Sequence, residues 1–423
     1  MRHRWLAALG LGLAAGPAAA APPAPYQSLS AFEVAAPPAA PADCDRPAVL
    51  PPLLPVPPAA ATPAPAGPRG PVGEYDHGHL YLPERAPDVV RPPREACGPG
   101  GRFWFAPSLE HGRTKAADAP PLVRLGTATG PAVYGDERLR TPTRGGLGLA
   151  GGVWLDAAHT HGFDAGFYYL AEGGNRAAVL SNTVPLILPT ADGRGFPLAD
   201  PARGYSAGAY QVGLNTRFAS ADVNYRERLL CGPNGRLDGL VGYRYGHVGE
   251  DFTAFGKRLG PGGEVVRFRD DVEATNHFHG GQVGLAGEAW AGRWFLGATG
   301  KVAFGTVFTD TELNGKFRVN GAVPAVGFYA RPGLNGPRDA THTAVMPTTA
   351  LTFGRQLGDH ARVFVGYNFL YLSTVTRGTD VIDPTPPVGP DPHAVLPVAN
   401  NRRDASTSDF WAQSLSLGME WRY

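Results

Sequence analysis

The chain has 423 residues, a formal net charge of +1 and 18% charged residues, whereas an ordinary soluble domain has about 25%. Its 57 glycines and 15 tyrosines, beside only 3 methionines, favour a β-protein with many tight turns. Nucleic-acid binding needs a basic face, so this charge balance excludes nucleic acid as an expected partner.

The N-terminus has the three parts of a secretory signal peptide. Arg2 and Arg4 are positively charged, residues 5–15 are apolar, and residues 18–20 are alanines suited to cleavage. The apolar stretch is too short for a membrane anchor, which needs about 20 residues. We therefore expect residues 1–20 to be a signal peptide that is removed on export.

No later stretch has the apolar length of a transmembrane helix. If the exported chain spans a membrane, it must therefore do so as a closed β-barrel, which pairs every backbone polar group within lipid.

Residues 21–100 hold 21 of the 43 prolines. Proline fixes φ and cannot donate a ladder hydrogen bond, so this composition predicts a disordered periplasmic segment without a packed core. Two interpretations stay open for it, a spacer that reaches the cell wall and a solvated tail.

From residue 101 to the end, apolar and polar residues alternate with the period of two that is typical of β-strands. Eleven segments show the pattern: 102–110, 147–155, 163–170, 205–218, 219–229, 241–245, 278–290, 294–304, 345–355, 362–371 and 411–423. Single-chain barrels prefer even numbers. We therefore predict an all-β, antiparallel up-and-down transmembrane barrel over residues 101–423, with about 12 strands (range 10–14) and the missing strand within 315–330.

The connections between these segments alternate in length. Residues 157–161, 230–235, 290–293 and 358–361 read as tight turns, whereas 111–144, 172–204, 247–275, 309–344 and 374–408 read as long loops. Outer-membrane barrels have short periplasmic turns and long extracellular loops. The same asymmetry is expected here.

The last segment has the clearest alternation. We expect its large apolar side chains to face the membrane and to guide the barrel assembly machinery; they are Trp411, Leu415, Leu417, Met419, Trp421 and Tyr423. The other face would point inward. On the same reasoning we predict pore-lining residues at Arg244, Lys301, Arg362, Glu288, Glu420 and Arg422. Mixed inward charges fit two alternatives, a wet channel or a small lumen filled by ion pairs.

Histidines, serines and cysteines are the side chains that could carry chemistry. His159 with His161, or His277 with His279, could offer metal ligands, but no acid or cysteine completes a set, so no metal site is predicted. The serines lack a Gly-x-Ser-x-Gly elbow, so we predict no enzyme and no cofactor. Cys44 could pair with Cys97 and leave Cys231 odd, or all three thiols could be free.

Two short motifs suggest a family. Gly152-Val-Trp-Leu-Asp156 leads into an aromatic-rich segment, and Leu240-Val-Gly-Tyr-Arg-Tyr245 follows later. Their order resembles the beta-barrel porin-7 family from about residue 103 to the end. The resemblance implies an outer-membrane barrel and a pore, and it carries over no catalytic residue.

The sequence thus predicts a bacterial outer-membrane porin, a passive diffusion channel for small hydrophilic solutes. The alternative is a structural or surface-interaction barrel with a closed lumen and a periplasmic Pro-rich spacer. Outer-membrane lipid is an expected partner in both, and a homo-oligomer stays open.

Overall fold

A computed structural model of the chain describes residues 100–136, 138–190, 192–321, 327–330, 335–382 and 406–423. The predicted signal peptide and nearly all of the predicted Pro-rich segment lie outside these residues. Within the described part, no helix is long and apolar enough to cross a membrane.

The alternating segments form ten antiparallel strands that close into one barrel. We number them in chain order: β1 (Phe103–Thr114), β2 (Arg144–Trp154), β3 (His161–Ser181), β4 (Ala207–Gly232), β5 (Gly235–Leu259), β6 (Val265–Ala291), β7 (Trp294–Val319), β8 (Gly336–Gln356), β9 (Ala361–Val375) and β10 (Ser408–Arg422). Each strand pairs with its neighbours in sequence. β1 closes the ring against β10, with Trp104 opposite Arg422 and Thr114 opposite Ala412.

The all-β barrel is confirmed, and its strand number is the lower bound of the predicted range. The prediction of two strands at 205–218 and 219–229 was wrong, because both segments belong to one strand, β4. Its 26 residues are far more than the roughly 9–11 that cross a bilayer. No separate strand lies in the described part of 315–330, where residues up to Val319 complete β7.

The predicted turns lie together at one end, which we call the turn end. Here residues 155–160, 233–234, 292–293 and 357–360 join consecutive strands, and β1 begins beside the end of β10. The β6–β7 turn is tight enough to place Gly292 at φ 60°, a left-handed conformation that glycine adopts without steric cost. The opposite end is the loop end.

The prediction of a long loop at 247–275 was wrong, because β5 and β6 continue through it and only residues 260–264 connect them. β6 has 27 residues, whereas about 9–11 suffice to cross a bilayer. Its outer face changes character on the way. Val283 and Leu285 are exposed near the turn end, whereas Arg267, Arg269 and Glu273 are exposed near the loop end.

The inner face changes in the opposite sense. In the loop half most inward residues are apolar and form a buried cluster that includes Phe252, Phe268 and Phe317. The turn half is therefore apolar outside and polar inside, while the loop half has the ordinary polarity of a soluble β-protein. The apolar-outside rule used on the sequence applies only to the first of these halves.

Connections at the loop end fold back onto the barrel. Four short strands form a small sheet there: Ala132–Tyr134, Val123–Leu125, Leu186–Leu188 and Phe196–Ala199. A second pair joins Ala117–Asp118 to Arg138–Leu139. Leu122, Leu186 and Leu198 from these connections pack into the same apolar cluster as the inward strand residues, so the barrel interior is filled at this end.

Candidate functional site in the barrel lumen

An ion cluster fills the lumen at the turn end. Arg362 on β9 contacts Glu288 on β6 at 2.7 Å and Glu420 on β10 at 2.8 Å. Arg422 contacts Glu420 at 2.5 Å and Glu288 at 3.7 Å. Because β6 and β9 are three strands apart in the ring, these contacts cross part of the lumen. Four of the six predicted pore-lining residues thus form one network of two cations and two anions.

A second cluster surrounds Asp222 on β4. Its carboxylate contacts Lys301 on β7 at 2.5 Å and Arg244 on β5 at 3.9 Å. Asn224 and Gln282 donate amide hydrogen bonds to the same carboxylate at 2.7 and 3.2 Å. The two remaining predicted pore-lining residues, Arg244 and Lys301, therefore share one acid, Asp222.

Sequence reasoning assigned the six residues to the inner face, and the structure places all six there. It did not single out Asp222, although Asp222 alternates inward within the stretch Ala221-Asp-Val-Asn-Tyr225. The alternation carried the side-chain direction, but the partners depend on which strands face each other across the ring. That information is not in any single strand.

Two cavities lie between these clusters. One of about 270 Å³ is lined by the polar side chains of Glu110, Asp222 and Lys301. Tyr168 and Leu370 also line it. The other, of about 220 Å³, is lined by Arg362 and Glu420 among others. Both are lined by Trp104 and Arg226, so they adjoin. The turn half of the lumen is a charged chamber rather than a uniform tube.

An apolar layer lies above this chamber. Phe218 on β4 and Phe410 on β10 are fully buried, and their ring centroids are 5.4 Å apart. These strands are four apart in a ring of ten, so the two rings meet across most of the lumen. Met346 on β8 also reaches across, because a Cβ added at Gly246 on β5 would lie 2.5 Å from its Cε. Leu170, Phe278, Leu370 and other buried side chains complete the layer.

Two buried acids hold loop segments in the mouth of the loop end. Glu250 on β5, 0% exposed, pairs with Arg377 of the β9–β10 connection, 2% exposed. Asp270 on β6 accepts hydrogen bonds from the backbone N–H groups of Phe328, Tyr329 and Ala330 at 3.0–3.2 Å. Burial raises the pKa of Asp270 to about 6, although the three N–H groups act in the opposite direction.

The large apolar side chains of the C-terminal strand β10 lie on the outer face of the barrel. Leu415, Leu417 and Tyr423 are 64%, 60% and 71% exposed on the outside of the barrel. Trp411, Met419 and Trp421 share that face and are half-buried, whereas Ser414, Ser416 and Glu420 on the other face are buried. The alternation therefore gave the correct orientation of β10. Contact with lipid and with the assembly machinery stays a prediction.

The histidines have aromatic partners. His159 stacks on Trp154 with centroids 5.5 Å apart, and His161 bonds the Tyr225 hydroxyl at 2.7 Å. His277 and His279 lie on the outer face, where they bond the hydroxyls of Tyr245 at 2.8 Å and Tyr243 at 2.5 Å. Among the described residues, no group of three or more histidine, cysteine or acidic side chains could hold a metal ion.

Both expectations for the cysteines were wrong. Cys231, at the end of β4, is disulfide-bonded. The chain's other two cysteines are Cys44 and Cys97. Both lie outside the described residues. The sequence could not reveal the bond, because cysteine spacing alone does not show which thiols meet in the fold.

The barrel region matches a known protein family. A model of the beta barrel porin-7 (BBP7) family matches residues 113–423. The chain belongs to this family. Family membership and the closed ring of strands make it a bacterial outer-membrane β-barrel. No curated protein matches this family member.

Solved structures similar to this BBP7 member include the outer membrane protease OmpT from Escherichia coli, at 14% identity and a TM-score of 0.42 over 76% of this chain and 97% of that one. The Pseudomonas putida toluene transporter TodX is similar at 10% identity and a TM-score of 0.22 over 77% and 91%. The Ralstonia pickettii toluene transporter TbuX is similar at 8% identity and a TM-score of 0.20 over 77% and 90%.

Proposed function

We propose that this chain is a non-catalytic outer-membrane barrel whose lumen is closed to free diffusion and whose loop end binds partners outside the cell. The apolar layer carries the proposal. A hydrated solute would have to shed water to pass Phe218, Phe278 and Phe410, and apolar constrictions of this kind exclude water and ions. The lumen charges fit the same interpretation, since each of the six predicted pore-lining residues already has an ion partner.

The proposal includes an orientation. The turn end faces the periplasm, and the charged outer surface of the loop half stands in water outside the cell. The apolar outer surface of the turn half, including Leu415 and Leu417, lies in lipid. A ten-stranded barrel is close in size to the eight-stranded barrels that side chains can fill.

The competing candidate is a passive channel for small hydrophilic solutes. The observation that favours it is the pair of adjoining cavities of about 270 and 220 Å³ in the turn half. If Phe218 and Phe410 separated, these cavities would approach the loop half. The two candidates differ in one measurable property, the conductance of the folded protein at rest.

Planar-bilayer recording of the full mature chain tests this difference. We expect no discrete conductance steps from the wild type. The triple variant Phe218→Ala/Phe410→Ala/Arg377→Met should give steps, since it removes two rings that meet inside the lumen and releases the β9–β10 connection from Glu250 at the filled loop end. The matched control is Phe304→Ala/Phe308→Ala, which removes two exposed rings from the outer face of β7 and should remain silent.

Steps from the inner variant also show that the protein has entered the bilayer, so silence of the wild type is then informative. Regular steps from the wild type would overturn the closed-lumen proposal and support the passive channel. A wild type and an inner variant that are both silent, despite a folded barrel in detergent, would show that the apolar layer is not what closes the lumen.

A further inference from the structure

Five cations lie together on the outer face of the loop half. Lys257 on β5, Arg267 on β6 and Arg318 on β7 are directly opposite one another across three neighbouring strands. In the next row, Arg269 lies opposite Lys316. We call these two rows the cation rows. Lys257 is half-buried and the other four side chains are exposed, so the charges are presented to solvent.

The cation rows stand well clear of the apolar part of the outer surface. On β7 the outward residues are apolar up to Phe308, apart from Thr306, and then become Asp310 and Glu312. Phe308 is opposite His277 on β6, which marks the same level. Arg267 is ten residues beyond His277. At about 3.3 Å per residue and a tilt of roughly 40°, the rows lie roughly 25 Å beyond the apolar surface.

These cations are poorly neutralised. Arg269 pairs with Asp271 at 2.9 Å, but no ion pair within 4.0 Å is found for Lys257, Arg267, Lys316 or Arg318 among the described residues. After Asp271, the next outward acids form a separate row nearer the lipid, Asp251, Glu273 and Glu312, and Arg217 contacts the first two of these.

Like charges directly opposite each other on a sheet destabilise it. Three such cations in one row therefore make the folded barrel less stable unless an anion binds to them. Long flexible side chains reduce this repulsion but do not remove it. The arrangement is understandable if the row binds a polymer whose negative charges repeat at the same spacing.

We propose that the cation rows bind an anionic polysaccharide with one carboxylate or sulfate on each sugar. This inference rests on the proposed function, since it requires the loop half to stand in water outside the cell. Neighbouring strands are about 4.8 Å apart, which is comparable with the length of one sugar unit, so consecutive charges of an extended chain can meet consecutive cations.

The surface favours a polysaccharide over other anionic partners. Lipid phosphates lie at the edge of the apolar surface, far below the rows. Single-stranded nucleic acid is bound through aromatic side chains that stack on bases, and the two rows contain one aromatic residue, Phe255, which is half-buried. An outer sheet surface with regularly spaced cations and few aromatic residues suits a linear, hydrated polyanion.

Fluorescently labelled polygalacturonate, which has one carboxylate per sugar, is a suitable probe for the full-length protein in detergent micelles. Its binding should weaken as salt is raised. Binding releases the counterions that neutralise the polymer, and this release is less favourable in concentrated salt. The variant Lys257→Gln/Arg267→Gln/Arg318→Gln should bind at least about tenfold more weakly and show a shallower salt dependence.

The matched control is Arg176→Gln/Arg194→Gln/Arg203→Gln. It removes the same charge from exposed, scattered positions of the loop half, and we expect a change of less than about twofold. Far-UV circular dichroism of each variant shows whether the barrel is intact. The row substitutions lie outside the lumen and should leave the conductance of the wild type unchanged.

Equal weakening by the two triple variants would overturn the proposal, since binding would then depend only on total charge. Tighter binding of a single-stranded oligonucleotide or of polyglutamate than of polygalacturonate would overturn the choice of polysaccharide. Because conductance and polymer binding are separate measurements, an open channel would refute the closed lumen while leaving the binding result readable.

Discussion

The buried pair between Arg377 and Glu250 offers a sharp test of how the loop end is closed. Arg377 donates to Glu250 from Nε at 3.0 Å and to the carbonyl oxygens of Ala116 and Lys115 at 2.7 and 3.0 Å. One side chain therefore joins the β9–β10 connection to β5 and to the β1–β2 connection. The substitution Arg377→Met keeps much of the volume and removes all of these hydrogen bonds.

The substitution should lower the stability of the closed loop strongly, because neither partner of the pair is exposed to water. Arg377 is 2% exposed and Glu250 is 0% exposed. Breaking a buried pair by removing one partner costs about 3–5 kcal/mol, mainly because the other charge stays buried without a partner. If the loop opens locally rather than the whole barrel unfolding, amide protection of residues 376–382 should fall by roughly 10²- to 4 × 10³-fold.

Hydrogen exchange measured by mass spectrometry can detect that loss. The second variant, Arg377→Met/Glu250→Gln, removes the stranded charge and should recover at least about 2 kcal/mol of the protection. Arg203→Met, at a 66% exposed arginine paired with Asp200, is the control and should change exchange little. Unchanged protection in Arg377→Met, or no recovery in the double variant, would refute the idea that a buried charge pair closes this loop.

Two further predictions concern other parts of the chain. Burial raises the pKa of Asp270 to about 6, so its stabilising contribution is full below the ordinary carboxyl pKa of about 3.9 and is lost as the pH rises through about 6. The free energy of unfolding that Asp270→Ala loses relative to the wild type should therefore be about 3 kcal/mol larger at pH 4 than at pH 8, as measured by chemical denaturation. An equal loss at both pH values would contradict this. Since Cys231 is disulfide-bonded and the chain has 3 cysteines, the denatured, unreduced protein should react with one equivalent of maleimide, and a count of three would show that the bond is absent.

Much of the fold could be predicted because a strand records its own orientation. The alternation in residues 411–423 placed Leu415 and Leu417 outside and Glu420 inside, as the structure has them. Strand number was harder. β4 continues from a part with apolar outward residues, such as Val223, to a part with apolar inward residues, such as Val212, so one strand looks like two. The length of β6 was missed for the same reason.

The candidate site could be predicted only in part. The inward direction of Arg244, Lys301 and Arg362 followed from the alternation, but their shared acids did not. Asp222 lies 79 residues before Lys301 in the chain, and nothing in either strand states that β4 and β7 face each other. The apolar layer was missed because Phe218 and Phe410 are inward aromatic residues in strands expected to be polar inside.

By itself, the sequence determined properties that depend on neighbouring residues: the period of two, the positions of the tight turns and the direction of each side chain relative to the sheet. These are local because successive strand residues point to opposite faces. The tertiary structure decided what the ring closure brings together: the number of strands, the ion pairs across the lumen, the apolar layer that fills it and the cation rows outside. Most of the lumen contacts join strands that are not adjacent in the ring, and the cation rows depend on the register between β5, β6 and β7, so only the closed barrel defines them.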